Sequence, residues 1–308
     1  MTSSHLITTT LLHIPDIKIL LLRAALKKSS YDPKKMFKAL LPKKIFYFDG
    51  FELDESNYKL FHQVVDWKSE SDFIHPCHLH SLAFPLHIMM LLLPEFPFPL
   101  LGLVHVSNQI TQMRPIKNDD RLVISCCFGE LVLHPKGWLF SIEVEFHDDN
   151  GLVWQSTSKY LFRTEHNYNV KPISIDGTGI FTSHINETWK LSANLGRRYA
   201  KVSGDFNPIH LTKFSARLFG FKQHVIHGMW TKSYCISMLH QSRPSLFLQA
   251  FDIKITFLKP LYLPNQVGMM VEILDTANIN KGQDFKVVGN KVNNQQPPLH
   301  LTGHIRAI

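Results

Sequence analysis

Cysteine is scarce in this sequence. Its 308 residues contain no CxxC pair and four cysteines, which are Cys77, Cys126, Cys127 and Cys235. A disulfide-stapled secreted domain or a zinc knuckle needs more cysteines at closer spacing. The basic start of a secretion signal is also missing, because no charged residue precedes Asp16. The sequence therefore predicts reduced thiols and a cytoplasmic protein.

Outside residues 1–44 the chain has a net charge of only about +1. The formal net charge is +8, and residues 1–44 hold nine Lys or Arg against two Asp, a net charge of +7. A nucleic-acid-binding face needs basic residues on the folded body, which argues against nucleic acid as a partner. The segment DIKILLLRAALKK has apolar residues at helical spacing. We predict that residues 1–48 form a basic N-terminal helical arm.

No apolar run is uninterrupted enough to span a membrane. Residues 82–104 are long enough, but prolines and polar groups break both the helix and the dehydrated surface that a span requires. The interrupting residues are Pro85, His87, Pro94, Glu95, Pro97 and Pro99. We predict instead a buried helix that ends near Leu93, followed by a proline-rich turn and a strand.

The order of sequence patterns repeats once along the chain. Strand-like runs with a basic residue before proline occur in both halves, and Pro115 aligns with Pro260 at an offset of 145 residues. In this register His80 and Ser81, before the first apolar helix, lie near the HG pair that precedes the second. Two copies of one α+β unit are predicted. The predicted boundaries are 49–163 for the first unit, 164–184 for a linker and 185–308 for the second unit.

One segment carries the groups of a water-activating site. In RRYAKVSGDFNPIHLTKFSARLFGFKQHVIHGMW, residues 197–230, Asp205 and His210 stand on a loop with glycine and proline, and Gly228 follows at a helix start. An aspartate and a histidine, with ordinary pKa values of about 3.9 and about 6.5, take opposite protonation states near neutral pH. One can orient or deprotonate water while the other relays a proton.

The same segment resembles the signature of the MaoC-like (R)-specific enoyl-CoA hydratases. The contiguous run YAKVSGDFNPIH agrees with that signature, as does Ala216 after five further residues. The GF pair at residues 220–221, the HGM at residues 227–229 and the later FLKPLYLP also agree. The resemblance covers about residues 185–308 well and the first half much more weakly.

The resemblance implies a role for each matching residue. Asp205 and His210 would hold and activate the attacking water. Asn207 and Pro208 would fix the turn that presents them, and Asn207 would also offer a hydrogen bond behind the pair. The Gly228 backbone N–H, at a helix N-terminus, would hold the thioester oxygen as negative charge develops on it.

The resemblance also implies an α+β double hotdog, in which two antiparallel sheets each wrap a central apolar helix. The first unit would be a degenerate, catalytically silent partner, because it has WKSESDFIHPCHLH in place of DxNPxH. The implied reaction is reversible hydration of a trans-2-enoyl thioester to the (R)-3-hydroxyacyl thioester, with no metal and no redox cofactor. Coenzyme A and acyl carrier protein, both anionic, stay open as the acyl carrier, and so does a homodimer.

Three other patterns imitate functional sites. The cluster HPCHLH has potential metal ligands at a spacing that fits no closed tetrahedral zinc site, and its members are His75, Cys77, His78 and His80. Ser203 could complete a hydrolytic triad, but the sequence has no GxSxG elbow. The GTG at residues 177–179 lacks the third glycine of a dinucleotide-binding loop.

Two functions of other classes remain open. Hotdog proteins also host thioester hydrolysis, and the fold alone does not decide between these chemistries. A non-catalytic module that binds acyl thioesters would use the basic arm to dock on an anionic membrane or partner. The presence of Asp205, Asn207 and His210 together favours hydration.

Overall fold

The computed structural model describes residues 6–27, 40–69, 72–100, 102–164, 187–272, 282–290 and 296–308. Contacts group the chain into two compact units. The first unit lies within Met1–Glu52, Leu82–Asn108 and Asp119–Ser174, and the second within Leu53–Ser81, Gln109–Asn118 and Ile175–Ile308. The sequence-based boundaries remain a prediction, because this grouping follows contacts and not the repeat. Most of the proposed linker, residues 165–186, lies outside the described residues.

The first unit is built on a sheet with strand order β1-β2-β4-β5-β6-β3. Strands β2, β4, β5 and β6 pair antiparallel, and β1 lies parallel to β2. The elements are β1 (Ile7–Leu11), α1 (Ile17–Leu26), β2 (Lys44–Phe51), β3 (Leu103–Gln112), β4 (Leu122–His134), β5 (Gly137–Asp148) and β6 (Gly151–Arg163). The last four residues of β3 belong to the second unit.

The N-terminal segment contains a strand as well as the predicted helix. Helix α1 confirms the amphipathic pattern, but the prediction of a wholly helical arm is wrong, since Ile7–Leu11 pairs with β2. Three consecutive β-branched threonines in ITTTL favour extended backbone over helix. The arm is also attached to its unit, because Lys27 Nζ donates to the carbonyls of Leu91 and Leu93 at 2.8 and 3.0 Å.

The second unit carries most of the helices. Its strands follow the order β8-β11-β10-β9-β7, and all neighbouring strands in this order pair antiparallel. Its helices are α2 (Glu55–Val65), the first turns of α3 (Pro76–Leu92), α4 (Leu195–Ser203), α5 (Lys213–Arg217) and α6 (Gly228–Ser242), with 3₁₀ turns at Pro208–His210 and Pro244–Leu248. Its strands are β7 (Glu187–Leu191), β8 (Phe251–Phe257), β9 (Asn265–Val271), β10 (Gln283–Gly289) and β11 (Leu299–Ala307).

The predicted repeat is present in the strand order. The set β2-β4-β5-β6-β3 and the set β7-β9-β10-β11-β8 have the same connectivity, and an apolar helix, α3 or α6, precedes the return strands in each. The α+β class predicted from the sequence is therefore confirmed. The predicted start of the first apolar helix is too late. Helix α3 begins at Pro76, so His80 and Ser81 lie inside it and do not precede it. Proline is favoured at the first helical position, which explains the earlier start.

The apolar stretch of the first half is a helix followed by a strand, as predicted. Helix α3 ends at Leu92 with Pro85 inside it, and β3 begins at Leu103. In the part of the chain that the structure describes, no helix is long and apolar enough to cross a membrane.

Candidate active site

The candidate catalytic loop, residues 204–210, begins where α4 ends. Gly204 has a φ of +74°, the left-handed region that L side chains rarely adopt, and its N–H bonds the Ala200 carbonyl at 3.0 Å. This is the usual glycine termination of a helix. The glycine in SGD therefore ends α4 and directs the chain away from the helix axis at Asp205.

Side-chain caps hold the loop in one conformation. Asp205 Oδ1 accepts from the Asn207 N–H at 3.1 Å, and Asn207 Oδ1 accepts from the Ile209 N–H at 3.4 Å. Pro208 then starts the 3₁₀ turn, where its fixed φ fits and its missing N–H costs nothing. Asn207 is exposed, and its side chain caps the turn by accepting from the Ile209 N–H. Its part in the reaction stays a prediction.

His210 is held in one orientation at the end of this turn. It is 8% exposed, and its Nδ1 lies 2.8 Å from the Val225 carbonyl oxygen. Because a carbonyl only accepts, Nδ1 carries the proton and Nε2 is left with its lone pair. Burial lowers the pKa of His210 below 6.5, although Asp205 opposes the shift. Near pH 7 the imidazole is therefore neutral, and Nε2 is a proton acceptor.

His227 is a site residue that sequence reasoning missed. Its ring stacks on the His210 ring with centroids 3.7 Å apart and planes at 28°. Its Nε2 donates to the Asp205 backbone carbonyl at 2.8 Å and lies 4.0 Å from Asp205 Oδ2. Burial holds the pKa of His227 well below 6.5, and the nearby His210 lowers it further. The HGM motif carries a signal for this residue, because its histidine directly precedes the glycine at the start of α6.

Gly228 lies at the first position of α6, directly after His227. The N–H of a first helical residue has no intrahelical acceptor and points out of the positive helix end. A Cβ added at Gly228 would lie 2.9 Å from Phe257 Cε1, so a larger residue would displace that ring. This close packing explains the glycine at this position.

Asp205, His210 and His227 bring potential ligand atoms within 4.8 Å of one another. A tetrahedral metal needs lone pairs that converge on one point. Here one nitrogen of each ring bonds a carbonyl, and the stacked rings direct their remaining nitrogens in nearly parallel planes. The arrangement suits a hydrogen-bonded water better than a metal ion.

Two histidines of the HPCHLH cluster, His75 and His78, are held by hydrogen bonds or packing inside the fold. His75 is fully buried, its Nδ1 accepts from the Cys77 N–H at 3.0 Å and its Nε2 lies 3.1 Å from the Ser233 carbonyl. His78 is also fully buried, and its ring packs against Phe61 at 5.0 Å. These contacts agree with the predicted position of the cluster at a helix entrance.

The remaining candidates have minor roles or fall outside the description. Ser203 Oγ accepts from the Asp205 N–H at 3.3 Å, which makes it part of the loop framework. Tyr199 is buried, and its ring centroid lies 5.0 Å from that of His227. The GTG at residues 177–179 lies outside the described residues.

The segment that carries this site matches a known family. Residues 183–296 match the family described as MaoC like domain, so this part of the chain is similar to that family. The chain is 28% identical over 191 residues to 3-hydroxyacyl-thioester dehydratase X of Mycobacterium tuberculosis, which covers 62% of this chain and 67% of that protein. It is 27% identical over 105 residues to an (R)-specific enoyl-CoA hydratase of Aeromonas caviae, covering 34% of this chain and 76% of that protein.

Solved structures confirm the double hotdog. The crystal structure of HtdX from Mycobacterium tuberculosis superposes with a TM-score of 0.70 at 24% identity, over 86% of this chain and 100% of that one. Another Mycobacterium tuberculosis protein, described as having a double hotdog fold, gives a TM-score of 0.55 at 10% identity over 85% of this chain and 95% of that one. At these identities the likeness concerns the fold.

Proposed function

We propose that this chain is a hydro-lyase that reversibly hydrates trans-2-enoyl thioesters to (R)-3-hydroxyacyl thioesters. The observation that carries the proposal is the His210 imidazole, fixed by Val225 with Nε2 unprotonated and coupled electrostatically to Asp205. The named hydratase and dehydratase relatives support the same activity. We assign the chemistry to Asp205, His210 and Gly228, with Asn207 and His227 as positioning residues.

In the hydration direction, a water molecule donates hydrogen bonds to the Asp205 carboxylate and to His210 Nε2. As its oxygen bonds to C3 of the enoyl group, His210 Nε2 takes one proton and becomes imidazolium. Negative charge moves to the thioester oxygen, where the Gly228 N–H at the positive end of α6 opposes it. The imidazolium then returns the proton to C2, so that one water has been added.

The surroundings of the pair suit this proton transfer. Imidazolium formation at a buried site is costly unless negative charge is near, and Asp205 supplies it. The neighbouring His227 stays neutral because its pKa is well below 6.5, and it therefore adds no competing positive charge. Its bond to the Asp205 carbonyl holds the loop against the start of α6.

The compartment and the assembly also belong to this proposal. All four cysteines are free thiols, which supports the reducing, cytoplasmic location that the sequence predicts. The domain boundaries and the homodimer remain predictions. Sedimentation of the full chain at several concentrations would test the homodimer.

A single assay tests the activity against its rivals. With crotonyl-CoA as substrate, enoyl absorbance and free thiol are followed in the same cuvette, and the double variant Asp205→Asn/His210→Ala serves as background. Enoyl loss without thiol release, giving the (R)-3-hydroxy product, is expected. Thiol release in step with enoyl loss would show a thioesterase, and no change with either readout would leave the binding module as the better assignment.

A further inference from the structure

A compact segment around the catalytic loop is both strongly basic and exposed. Between residues 195 and 222 it contains six cations and one acid, Asp205. The cations and three apolar residues beside them are all exposed. We call this the basic-apolar surface, and its members are Arg197, Arg198, Lys201, Lys213, Phe214, Arg217, Leu218, Phe219 and Lys222.

The charge of this surface stands out against the rest of the folded body. Residues 195–222 carry a net +5 and residues 1–44 a net +7, while the whole chain carries +8. The other residues therefore have a net charge of −4. A positive region on an otherwise negative body attracts and orients an acidic partner.

Helix α4 supplies one half of the surface. Its cations, Arg197, Arg198 and Lys201, are exposed, while its other face is buried. Arg197 Nη1 donates to the Leu211 carbonyl at 2.9 Å, which ties the helix to the chain after His210. Gly196 lies against the His210 carbonyl, so α4 packs directly on the catalytic turn. This half of the surface is therefore rigidly connected to the site.

The other half lies on α5 and the residues that follow it, directly after the turn at Pro208–His210. Phe214 is 76% exposed and Leu218 71% exposed, and their spacing of four residues places them on one helix face. Thr212 and Ser215 form a capping box, and Ser215 Oγ donates to the Pro208 carbonyl at 2.6 Å. Adjacent large apolar side chains held out on a capped helix are typical of interaction sites.

We propose that the basic-apolar surface docks an acyl carrier protein, so that the proposed hydratase takes its enoyl group from a carrier protein. This rests on the proposed function. An acyl carrier protein is a small acidic protein that carries the acyl thioester on a flexible arm. Its acidic side chains would pair with the cations of α4 and α5, and its apolar residues would cover Phe214 and Leu218.

The shape of the surface favours a protein over a nucleotide. The phosphates of coenzyme A are a few charges on one small group, whereas the six cations are distributed over two helices and the loop that follows them. Burying two large apolar side chains stabilises a complex only if the partner offers a matching apolar area. A folded acidic domain provides both the spread of charge and this area.

The test compares one acyl group on three carriers. Crotonyl thioesters of pantetheine, of coenzyme A and of a discrete bacterial acyl carrier protein are hydrated by the wild type and by two variants. The docking variant is Lys213→Glu/Arg217→Glu. The matched control is Lys190→Glu/Lys254→Glu, which makes the same change in net charge at exposed positions on β7 and β8.

We expect the ratio of kcat/KM for the carrier-protein ester to kcat/KM for the pantetheine ester to fall about tenfold or more in the docking variant. The control should keep the wild-type ratio. Added salt should lower the wild-type ratio, since exposed charges are screened. Phe214→Ser should lower the ratio as well, with the salt dependence preserved.

Three outcomes would overturn the proposal. The first is a wild type that hydrates the pantetheine ester but shows no preference for the carrier-protein ester. The second is a docking variant that loses as much activity on the coenzyme A ester, since the surface would then bind nucleotide phosphates. The third is an equal loss in the control.

Failure of the proposed function is distinguishable from failure of docking. If the wild type hydrates none of the three esters, the hydratase assignment fails, and docking is then decided by fluorescence anisotropy of labelled carrier protein titrated with the full chain. Binding that is weakened in the docking variant and kept in the control supports the surface. Equal binding by both variants overturns it.

Discussion

The two repeats differ in the length of the segment that leads into the central apolar helix, α3 or α6. In the first repeat ten residues, 66–75, separate α2 from α3, whereas in the second 24 residues, 204–227, separate α4 from α6. Both preceding helices end in a left-handed residue, Asp66 with φ 55° and Gly204 with φ 74°. The same helix ending is therefore followed by a short connection in one repeat and by the loop that carries Asp205 and His210 in the other.

A second difference lies at the start of the central helix. His75 precedes α3 as His227 precedes α6, but the next residue is Pro76 in the first repeat and Gly228 in the second. Proline has no N–H, so α3 lacks the hydrogen-bond donor that α6 offers at the same position. The first repeat thus has the histidine but neither the loop nor the amide. The two repeats share the sheet connectivity, and the second one carries the proposed catalytic groups.

The largest effect is expected from removing the groups that only the second repeat has. Asp205→Asn or His210→Ala should each lower kcat on crotonyl-CoA by about a hundredfold to ten-thousandfold, since each removes positioned acid–base catalysis. Because the two act on one water, the double variant should be little worse than the worse single variant. Turnover and substrate affinity are measured, with circular dichroism as the control for folding. Near-native turnover in both folded single variants would contradict the mechanism.

The helix-start difference can be tested by making the second repeat like the first. Gly228→Pro removes the backbone N–H. Gly228→Ala keeps the N–H and, like proline, places a Cβ against Phe257. Loss of one such donor typically costs about a hundredfold to a thousandfold in kcat. We expect the kcat of Gly228→Pro to be lower than the kcat of Gly228→Ala by that factor. Equal activity of the two folded variants would mean that the amide is not used.

The pH dependence separates the histidines of the two repeats. Burial lowers the pKa of His210 from 6.5, so hydration should decline only on the acid side of that value, as Nε2 becomes protonated. His78 in the first repeat has a pKa lowered to about 3, so it stays neutral between pH 4 and pH 8. A profile of kcat/KM from pH 4 to 8 should show one acid limb below 6.5. A limb above 6.5 would exclude His210 as the group responsible.

A smaller effect on turnover is expected from the first-repeat histidines. Replacing His75, His78 and His80 together with Gln should keep kcat within about tenfold, or about 1.4 kcal/mol of barrier. Stability should fall instead, because His75 makes two hydrogen bonds and all three side chains are buried. His80→Gln alone is the milder control if the triple variant fails to fold. A thousandfold loss in a folded variant, or stoichiometric zinc by elemental analysis, would contradict the silent assignment.

Much of this comparison could be predicted from the sequence, because it depends on local signals. The repeat, the proline-ended apolar helix and the loop of Asp205, Asn207 and His210 all have short-range patterns. The stacking of His227 on His210 could not be predicted, since it depends on two segments meeting 17 residues apart. Strand β1 was missed for a related reason. Its pairing with β2 is a long-range contact, and a five-residue polar strand carries little periodicity of its own.

The smallest effect on turnover should come from the N-terminal arm. Deleting residues 1–43 removes β1, α1 and the bonds of Lys27 to α3, and it leaves every assigned site residue in place. The exposed edge of β2 and the lost bonds should lower the unfolding midpoint, and Lys27→Met alone should cost about 1–3 kcal/mol. Turnover on crotonyl-CoA should stay within about twofold, well under 1 kcal/mol of barrier. Thermal unfolding and kcat are measured on the same preparation, so that a loss of folded protein is not mistaken for a loss of chemistry. If the truncated chain is folded but inactive, the arm takes part in the reaction, and catalysis is not confined to the second repeat.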